Sequence, residues 1–148
     1  MKKSLRFTLL ISALIFGFAT FQINAQCKGF AKQVCKVELG SYTHDGNYHA
    51  AILTEGEEAE MYKTFYSDQD YRVAICGSEN LPPIEFKVMD ANKNVIYSNK
   101  DSKYGKTWDF KLESSQQLKL VVKVTTFEQA GDEPANGCVA IMFGFKVN

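Results

Sequence analysis

The segment from residue 70 to residue 90 restricts the possible folds most strongly, because its apolar residues alternate in two short runs. The first run, YRVAIC, and the second, IEFKVM, each place an apolar side chain at every second position. A period of two sends one set of side chains into a core and leaves the other set facing outward, as in a β-strand. The connection between the runs contains the strand-breaking residues Gly77, Asn80, Pro82 and Pro83. The pattern therefore predicts two strands joined by a short connection.

Similar alternating segments recur along the chain, most of them about 8–14 residues apart, and helical periodicity is almost absent. In one of these segments, Trp108, Phe110 and Leu112 share a face, so Trp108 is expected in the core. The final segment, residues 137–147, alternates in the same way from Val139 to Val147. Regularly spaced short strands of this kind predict an all-β fold. We expect an antiparallel β-sandwich or jelly roll of about eight strands.

A short N-terminal helix is the exception to this pattern, and we expect it within residues 27–39. Its apolar side would be formed by Phe30, Val34, Val37 and Leu39. Gly40 follows directly and would end the helix. We expect one or two helical turns that pack on the edge of a sheet.

Residues 1–25 have the layout of a secretory signal peptide. Three basic residues precede a charge-free apolar run at positions 7–20, and Ala25 supplies the small residue before the cleavage point. That run is shorter than the about 20 residues of a spanning helix. A lipoprotein signal has a small residue directly before the lipidated cysteine, but Gln26 precedes Cys27, so a lipid anchor on Cys27 is less favoured than cleavage after Ala25. The mature chain, residues 26–148, is therefore predicted to be one exported domain, periplasmic or extracellular, with no membrane insertion once the signal is removed.

The charge of the mature chain argues against two classes of partner. Lys2, Lys3 and Arg6 are the charged residues before the cleavage point, so 14 of the 17 basic residues and all 17 acidic residues remain. Binding to nucleic acid or to an anionic membrane draws on clustered Lys and Arg side chains. We therefore expect no nucleic-acid partner.

All four cysteines, Cys27, Cys35, Cys76 and Cys138, follow the cleavage point, and an even number in an exported chain predicts two disulfides. Three pairings are possible. Cys76 closes one strand and Cys138 opens the last, and both point away from the main apolar face, so antiparallel neighbours would bring them together. We predict a Cys76–Cys138 bond. Cys27 and Cys35 would then close a small loop with a bend, because eight residues of straight helix span about 12 Å.

Two segments resemble the bacterial pre-peptidase C-terminal domain, which is a β-sandwich. Residues 65–73, FYSDQDYRV, are similar to that family's aromatic strand, polar turn and Tyr-led strand. Residues 88–96, VMDANKNVI, look like its Asp-containing hairpin. The whole chain also resembles small exported Bacteroidota proteins without an assigned activity, including the cleavage site before Gln26. The resemblance implies a non-catalytic accessory or binding domain.

Residues 41–49, SYTHDGNYH, hold both histidines and two tyrosines around an Asp-Gly turn signal. Loop aromatics present faces to ligands at the ends of a sandwich, so Tyr42, Tyr48, Tyr97 and Tyr104 are candidates for a binding platform. We predict that the ligand-binding surface is formed by Tyr42, His44, Tyr48 and His49. A metal site at His44, Asp45 and His49 is less favoured than an ordinary turn, because no free Cys and no His-Glu-x-x-His spacing accompanies them.

Asp90, Asn92 and Asn94 match the first ligand positions of a calcium loop. However, the sixth position lacks Gly and the twelfth lacks Glu, so the segment predicts a turn between two strands. A calcium site formed by other loop carboxylates, such as Asp132 and Glu133, is an alternative that the sequence leaves open. No metal and no cofactor is predicted.

Catalytic motifs are few in this sequence. There is no Gly-x-Ser-x-Gly elbow and no phosphate-binding glycine loop, and the thiol of Cys76 in Cys76-Gly77-Ser78 would be consumed by a disulfide. We therefore predict a non-catalytic binding or accessory domain, with a glycan, a peptide or a cell-envelope component as its ligand. One alternative is an envelope or matrix structural protein without a small ligand. The other is a hydrolase, since two carboxylates could meet in space.

Overall fold

A computed structural model describes residues 22–128 and 133–147. Residues 1–21, and with them most of the predicted signal peptide, lie outside the described residues. Helix α1 (Gln22–Phe30) continues through a π-helical turn (Ala31–Cys35) and a 3₁₀ turn (Lys36–Leu39), and a second 3₁₀ turn spans Asn99–Ser102. The strands are β1 (Thr43–His44), β2 (His49–Thr54), β3 (Glu58–Phe65), β4 (Asp70–Gly77), β5 (Ile84–Met89), β6 (Val95–Ser98), β7 (Thr107–Lys111), β8 (Gln116–Val124) and β9 (Asn136–Phe145).

The strands form two antiparallel sheets, which confirms the predicted β-sandwich with a short N-terminal helix. Sheet A has the order β1–β9–β4–β7, and β2 pairs with β9 beyond the end of β1. Sheet B has the order β3–β8–β5–β6. The described part of the chain holds nine strands, against the about eight predicted. No helix among the described residues is long and apolar enough to cross a membrane.

The main core lies between the two sheets and is built by the alternating residues. Val73 and Ile75 of β4, Phe86 and Val88 of β5, and Phe143 of β9 are at most 2% exposed. Trp108 packs against this cluster, as its alternation with Phe110 and Leu112 predicts. The alternation predicts the buried residues correctly because each sheet packs one face against the opposite sheet and turns its other face away from the core.

The N-terminal helical segment packs on the outer face of sheet A, so its predicted position on a sheet edge is wrong. Its buried positions recur every four residues, at Cys27, Ala31, Cys35 and Leu39, each at most 2% exposed. Val34 and Val37, which we expected on the buried face, are 46% and 69% exposed. The π-helical turn explains the difference, because its wider turn keeps residues four apart near one face. Gly40 ends the segment, as predicted, with a φ of 56°.

The disulfide pairing predicted from the sequence is also wrong. Cys27 bonds Cys138, with a Cα–Cα distance of 5.2 Å, and Cys35 bonds Cys76, with a Cα–Cα distance of 5.6 Å. β4 and β9 are antiparallel neighbours as expected, but the residue opposite Cys76 is Ala140. Cys138 is therefore a diagonal neighbour, and diagonal side chains lie about 7–8 Å apart, which is too far for a disulfide. Both cysteines face outward and meet the helical segment instead.

Candidate functional site

An apolar cleft opens on the side of the sandwich where β2 and β3 face each other. These strands are edges of their sheets, because among the described strands β2 pairs with β9 and β3 pairs with β8. The cleft has a volume of about 370 Å³. Its walls are largely aliphatic and include Leu53, Met61, Val122, Val139 and Ile141. We call this cavity the β2–β3 cleft.

The register of β2 decides which side chains reach the cleft. His49 lies opposite Ile141 and Ala51 lies opposite Val139, so these four residues share the inner face of sheet A. The His49 ring packs edge-on against Phe143, with 5.6 Å between ring centroids. Ala51 is exposed at the mouth of the cleft. The edge of β2 therefore offers one imidazole and one small side chain to anything that enters.

An ion pair joins the two sheets at one end of the cleft. Lys63 stands on the inner face of β3, and its Nζ lies 2.8 Å from Asp45 Oδ2 in the turn between β1 and β2. The same Nζ lies 4.7 Å from the ring centroid of Phe143. Asp45 is held in place, because its backbone N–H donates to the carbonyl of Phe143 and its Oδ1 accepts from the N–H of Asn47. A second cavity, of about 300 Å³, lies against Asp45 and Lys63 and extends to Tyr71 and Phe145.

The electrostatics of this region keep Asp45 charged and His49 neutral. Burial raises the pKa of Asp45, but the hydrogen bond from Lys63, the N–H of Asn47 and the charge of Lys63 outweigh it, so the pKa is lowered. Burial also lowers the pKa of His49, and the positive charge of Lys63 adds to this against the opposing charge of Asp45. The cleft therefore carries an uncharged imidazole near neutral pH.

We expect the pH dependence of stability to reveal the lowered pKa of His49. The unfolded chain takes up a proton near pH 6.5, whereas folded His49 resists protonation until a lower pH. The unfolded state thus binds more protons below about pH 6.5, and stability falls as pH decreases from 7 toward 5. Thermal melts across this range should show the loss in the wild type and a smaller loss in His49→Gln. An imidazole of His49 that titrates above 6.5 by NMR would contradict this assignment.

The four predicted site residues do not all share one surface, although the His44 and Tyr48 rings lie 4.6 Å apart. His49 and Tyr48 line the β2–β3 cleft. Tyr42 lies on the outer side of sheet A, where its ring centroid is 4.7 Å from Arg72 Cζ and 5.1 Å from Lys146 Nζ. The His44 side chain is only 8% exposed; its Nε2 is 3.0 Å from the carbonyl oxygen of Asn47. Ligand binding by this set stays a prediction; of the four residues, His49 and Tyr48 line the β2–β3 cleft, and Tyr42 and His44 do not.

Sequence reasoning missed the β3 side of the cleft. Ala59, Met61, Lys63 and Phe65 share the inner face of β3, so a lysine stands at a core-facing position. The available signal was Lys63 itself, a charged side chain at a position where the alternation predicts a core residue. A buried charge needs a partner. The partner, Asp45, could not be identified without knowing that the β1–β2 turn lies across from β3.

The candidate metal ligands have other roles in the described chain. Asp45 contacts Lys63 and Asn47, as given above, and no group of three or more His, Cys, Asp or Glu side chains is placed to hold a metal within residues 22–128 and 133–147. Asp90 Oδ1 accepts from the N–H groups of Asn92 and Asn94, which confirms the predicted turn between two strands. Asp132 lies outside the described residues.

Comparisons with known proteins give similarity of structure only. No family model and no curated protein matches the sequence. The structure of Aeromonas hydrophila PliG, a periplasmic lysozyme inhibitor of g-type lysozyme, is similar with a TM-score of 0.49 and 14% identity, covering 72% of this chain and 89% of that one. Salmonella Typhimurium PliG, described in the same words, has a TM-score of 0.41 and 14% identity, covering 66% of this chain and 86% of its own.

Proposed function

We propose that this chain is an exported, non-catalytic binding protein whose β2–β3 cleft receives apolar side chains of a partner peptide or protein. The observation that carries the proposal is the cleft itself, a cavity of about 370 Å³ open between two sheet edges. Export is supported by the two disulfides, which form and persist in oxidising compartments.

The chemistry of the cleft walls favours a peptide over a glycan at this position. Leu53, Met61, Val122, Val139 and Ile141 bring no hydrogen-bonding side-chain groups. Tyr48, His49 and Glu60 also line the cleft, but a sugar would still place most of its hydroxyl groups against aliphatic walls, where they lose hydrogen bonds to water at a cost in free energy. An aliphatic or Met side chain instead gains about 25 cal/mol for each Å² of apolar surface removed from water. Among the described strands, β2 and β3 each have one edge without a neighbouring strand, which offers backbone groups to an incoming extended segment.

The test uses a variant that fills the mouth of the cleft. A random peptide library displayed on phage should enrich sequences with a shared aliphatic or Met residue on wild-type protein. Ala51→Trp should weaken the best peptide at least ten-fold by isothermal titration, because the indole occupies the entrance. Ala91→Trp, the same change at an exposed alanine in the β5–β6 turn, should leave affinity unchanged.

The outcomes separate the competing functions. Equal binding by Ala51→Trp and the wild type, with unchanged thermal stability, would remove the cleft as the binding site. Concentration-dependent self-association that Ala51→Trp abolishes would favour the structural protein instead.

A further inference from the structure

The two sheets differ in how their outer faces are covered. The helical segment covers the outer face of sheet A, where Ala74, Ala140 and Met142 are fully buried beneath it. No described segment covers the outer face of sheet B in this way, and the outward residues of its edge strand β3 are exposed. Sheet B thus presents a side-chain surface to solvent, and of its outward residues only Glu60 also lines the β2–β3 cleft.

One end of that surface forms a depression around an exposed aromatic ring. Tyr62 of β3 lies opposite Lys119 of β8, which in turn lies opposite Met89 of β5, so these three side chains form one row across the sheet. Tyr62 is 57% exposed. The depression around it has a volume of about 360 Å³, within the range of small-ligand sites. We call it the Tyr62 depression.

The β5–β6 turn forms a rigid wall of this depression. Asp90 Oδ1 accepts from the N–H groups of Asn92 and Asn94, and its Oδ2 accepts from the Asn94 side-chain amide, each at 2.9 Å. The N–H of Lys93 donates to the Asp90 carbonyl, and Lys93 has a φ of 67°. These bonds fix the turn, so that Asp90 and Lys93 line the cavity at set positions. A preformed wall lowers the entropy that a ligand must lose on binding.

The charges around the depression are balanced. Lys93 and Lys119 line it together with Asp90, and Lys119 forms an ion pair with Glu60 on the neighbouring strand. The Nζ of Lys119 lies 5.8 Å from the Tyr62 ring centroid. Two ammonium groups thus lie in or beside the depression with two carboxylates, Asp90 and Glu60, and this balance does not favour a ligand with net charge. Gln117 adds an exposed amide, which both donates and accepts.

We infer that the Tyr62 depression binds a neutral glycan. A sugar ring has an apolar face of C–H groups and a rim of hydroxyl groups, so it needs an aromatic face beside side chains that donate and accept hydrogen bonds. Tyr62 supplies the aromatic face. Lys93 and Lys119 supply donors, Asp90 supplies an acceptor, and Gln117 supplies both. Asp90 carries about four acceptor positions, of which three are occupied by its turn, so one remains for a hydroxyl group.

The proposal is tested with a printed array of neutral and acidic oligosaccharides, followed by isothermal titration with the neutral oligosaccharide bound best. Tyr62→Ala should weaken binding at least ten-fold, and Tyr62→Phe, which keeps the ring, should stay within about three-fold of the wild type. Tyr66→Ala is the matched control, because Tyr66 is 66% exposed and lies outside the depression. Its affinity for the oligosaccharide should equal that of the wild type.

The result also separates this site from the β2–β3 cleft. Ala51→Trp should retain glycan binding, since the β2–β3 cleft and the Tyr62 depression share no lining residue. No neutral oligosaccharide bound by the wild type, or equal affinity in Tyr62→Ala, would overturn the inference. Selective binding of acidic oligosaccharides that Lys93→Met abolishes while Tyr62→Ala does not would overturn it as well.

Discussion

Replacing Cys27 and Cys138 together by Ala should lower the free energy of unfolding by about 5 kcal/mol. The bond joins residues 111 positions apart, so its loss restores a large loop-closure entropy to the unfolded chain. Both cysteines are changed because a single substitution would leave a reactive thiol. Urea unfolding monitored by circular dichroism measures the loss, and the double variant should still fold into the sandwich.

The second disulfide supplies the matched comparison. Cys35 and Cys76 are 41 positions apart, so the same entropy relation gives about 4 kcal/mol for Cys35→Ala with Cys76→Ala. A larger loss from the shorter loop would show that packing under the helix, not chain entropy, dominates. Non-reducing peptide mapping should link Cys27 with Cys138, and a Cys76–Cys138 peptide would contradict the pairing.

Replacing Phe65 by Ala should cost about 3–5 kcal/mol of stability. The Phe65 side chain is fully buried at the end of β3. Its ring packs edge-on against Tyr71 and Phe110, each at 5.0 Å between centroids, and against Phe143 at 5.8 Å. Truncation removes this apolar contact and leaves a cavity that the surrounding rings fill only in part.

Phe127→Ala is the control for that experiment. Phe127 is 44% exposed after β8, so the same truncation there should change stability by less than about 1 kcal/mol. Thermal and urea unfolding of both variants provide the measurement. A loss at Phe65 no larger than that at Phe127 would mean that the aromatic cluster does not hold the two sheets together.

The strands could be predicted from the sequence because alternation is a local signal. Val73 and Ile75, or Phe86 and Val88, identify the buried face of a strand without knowledge of its neighbours. The sheet to which each strand belongs is not local. β4 and β5 follow each other in the chain but lie in different sheets, and nothing in residues 70–90 specifies that separation.

The disulfide pairing failed for a similar reason. The positions of Cys76 and Cys138 in the strand alternation correctly place both residues on the outer face of neighbouring strands. Cys76 and Cys138 could bond each other or the cysteines of the helical segment. Which pairing forms depends on the two-residue offset between Cys138 and the residue opposite Cys76, and on the position of the helical segment. The π-helical turn, which aligns Cys27 and Cys35 with the sheet, leaves no simple spacing signal in the sequence.

The candidate site was predictable only in part. The cluster of His and Tyr residues drew attention to residues 41–49, and His49 and Tyr48 do line a cavity. The strands on both sides of Asp45 alternate like any others, which sends Tyr42 and His44 to the outer face of sheet A. Tyr62 carried no distinguishing pattern, because an outward aromatic residue in an edge strand is common in β-sheets.

The Cys27–Cys138 bond gives the domain an unusual response to mechanical force. When the two ends of the described chain are pulled apart, tension passes from Cys27 directly through the sulfur atoms to Cys138. It then follows β9 to the end of the chain, and strands β1 to β8 lie off the path that carries the load. Stretching therefore cannot extend the chain between Cys27 and Cys138 while the bond is intact. A force applied to the two ends of the described chain would therefore meet a nearly inextensible link.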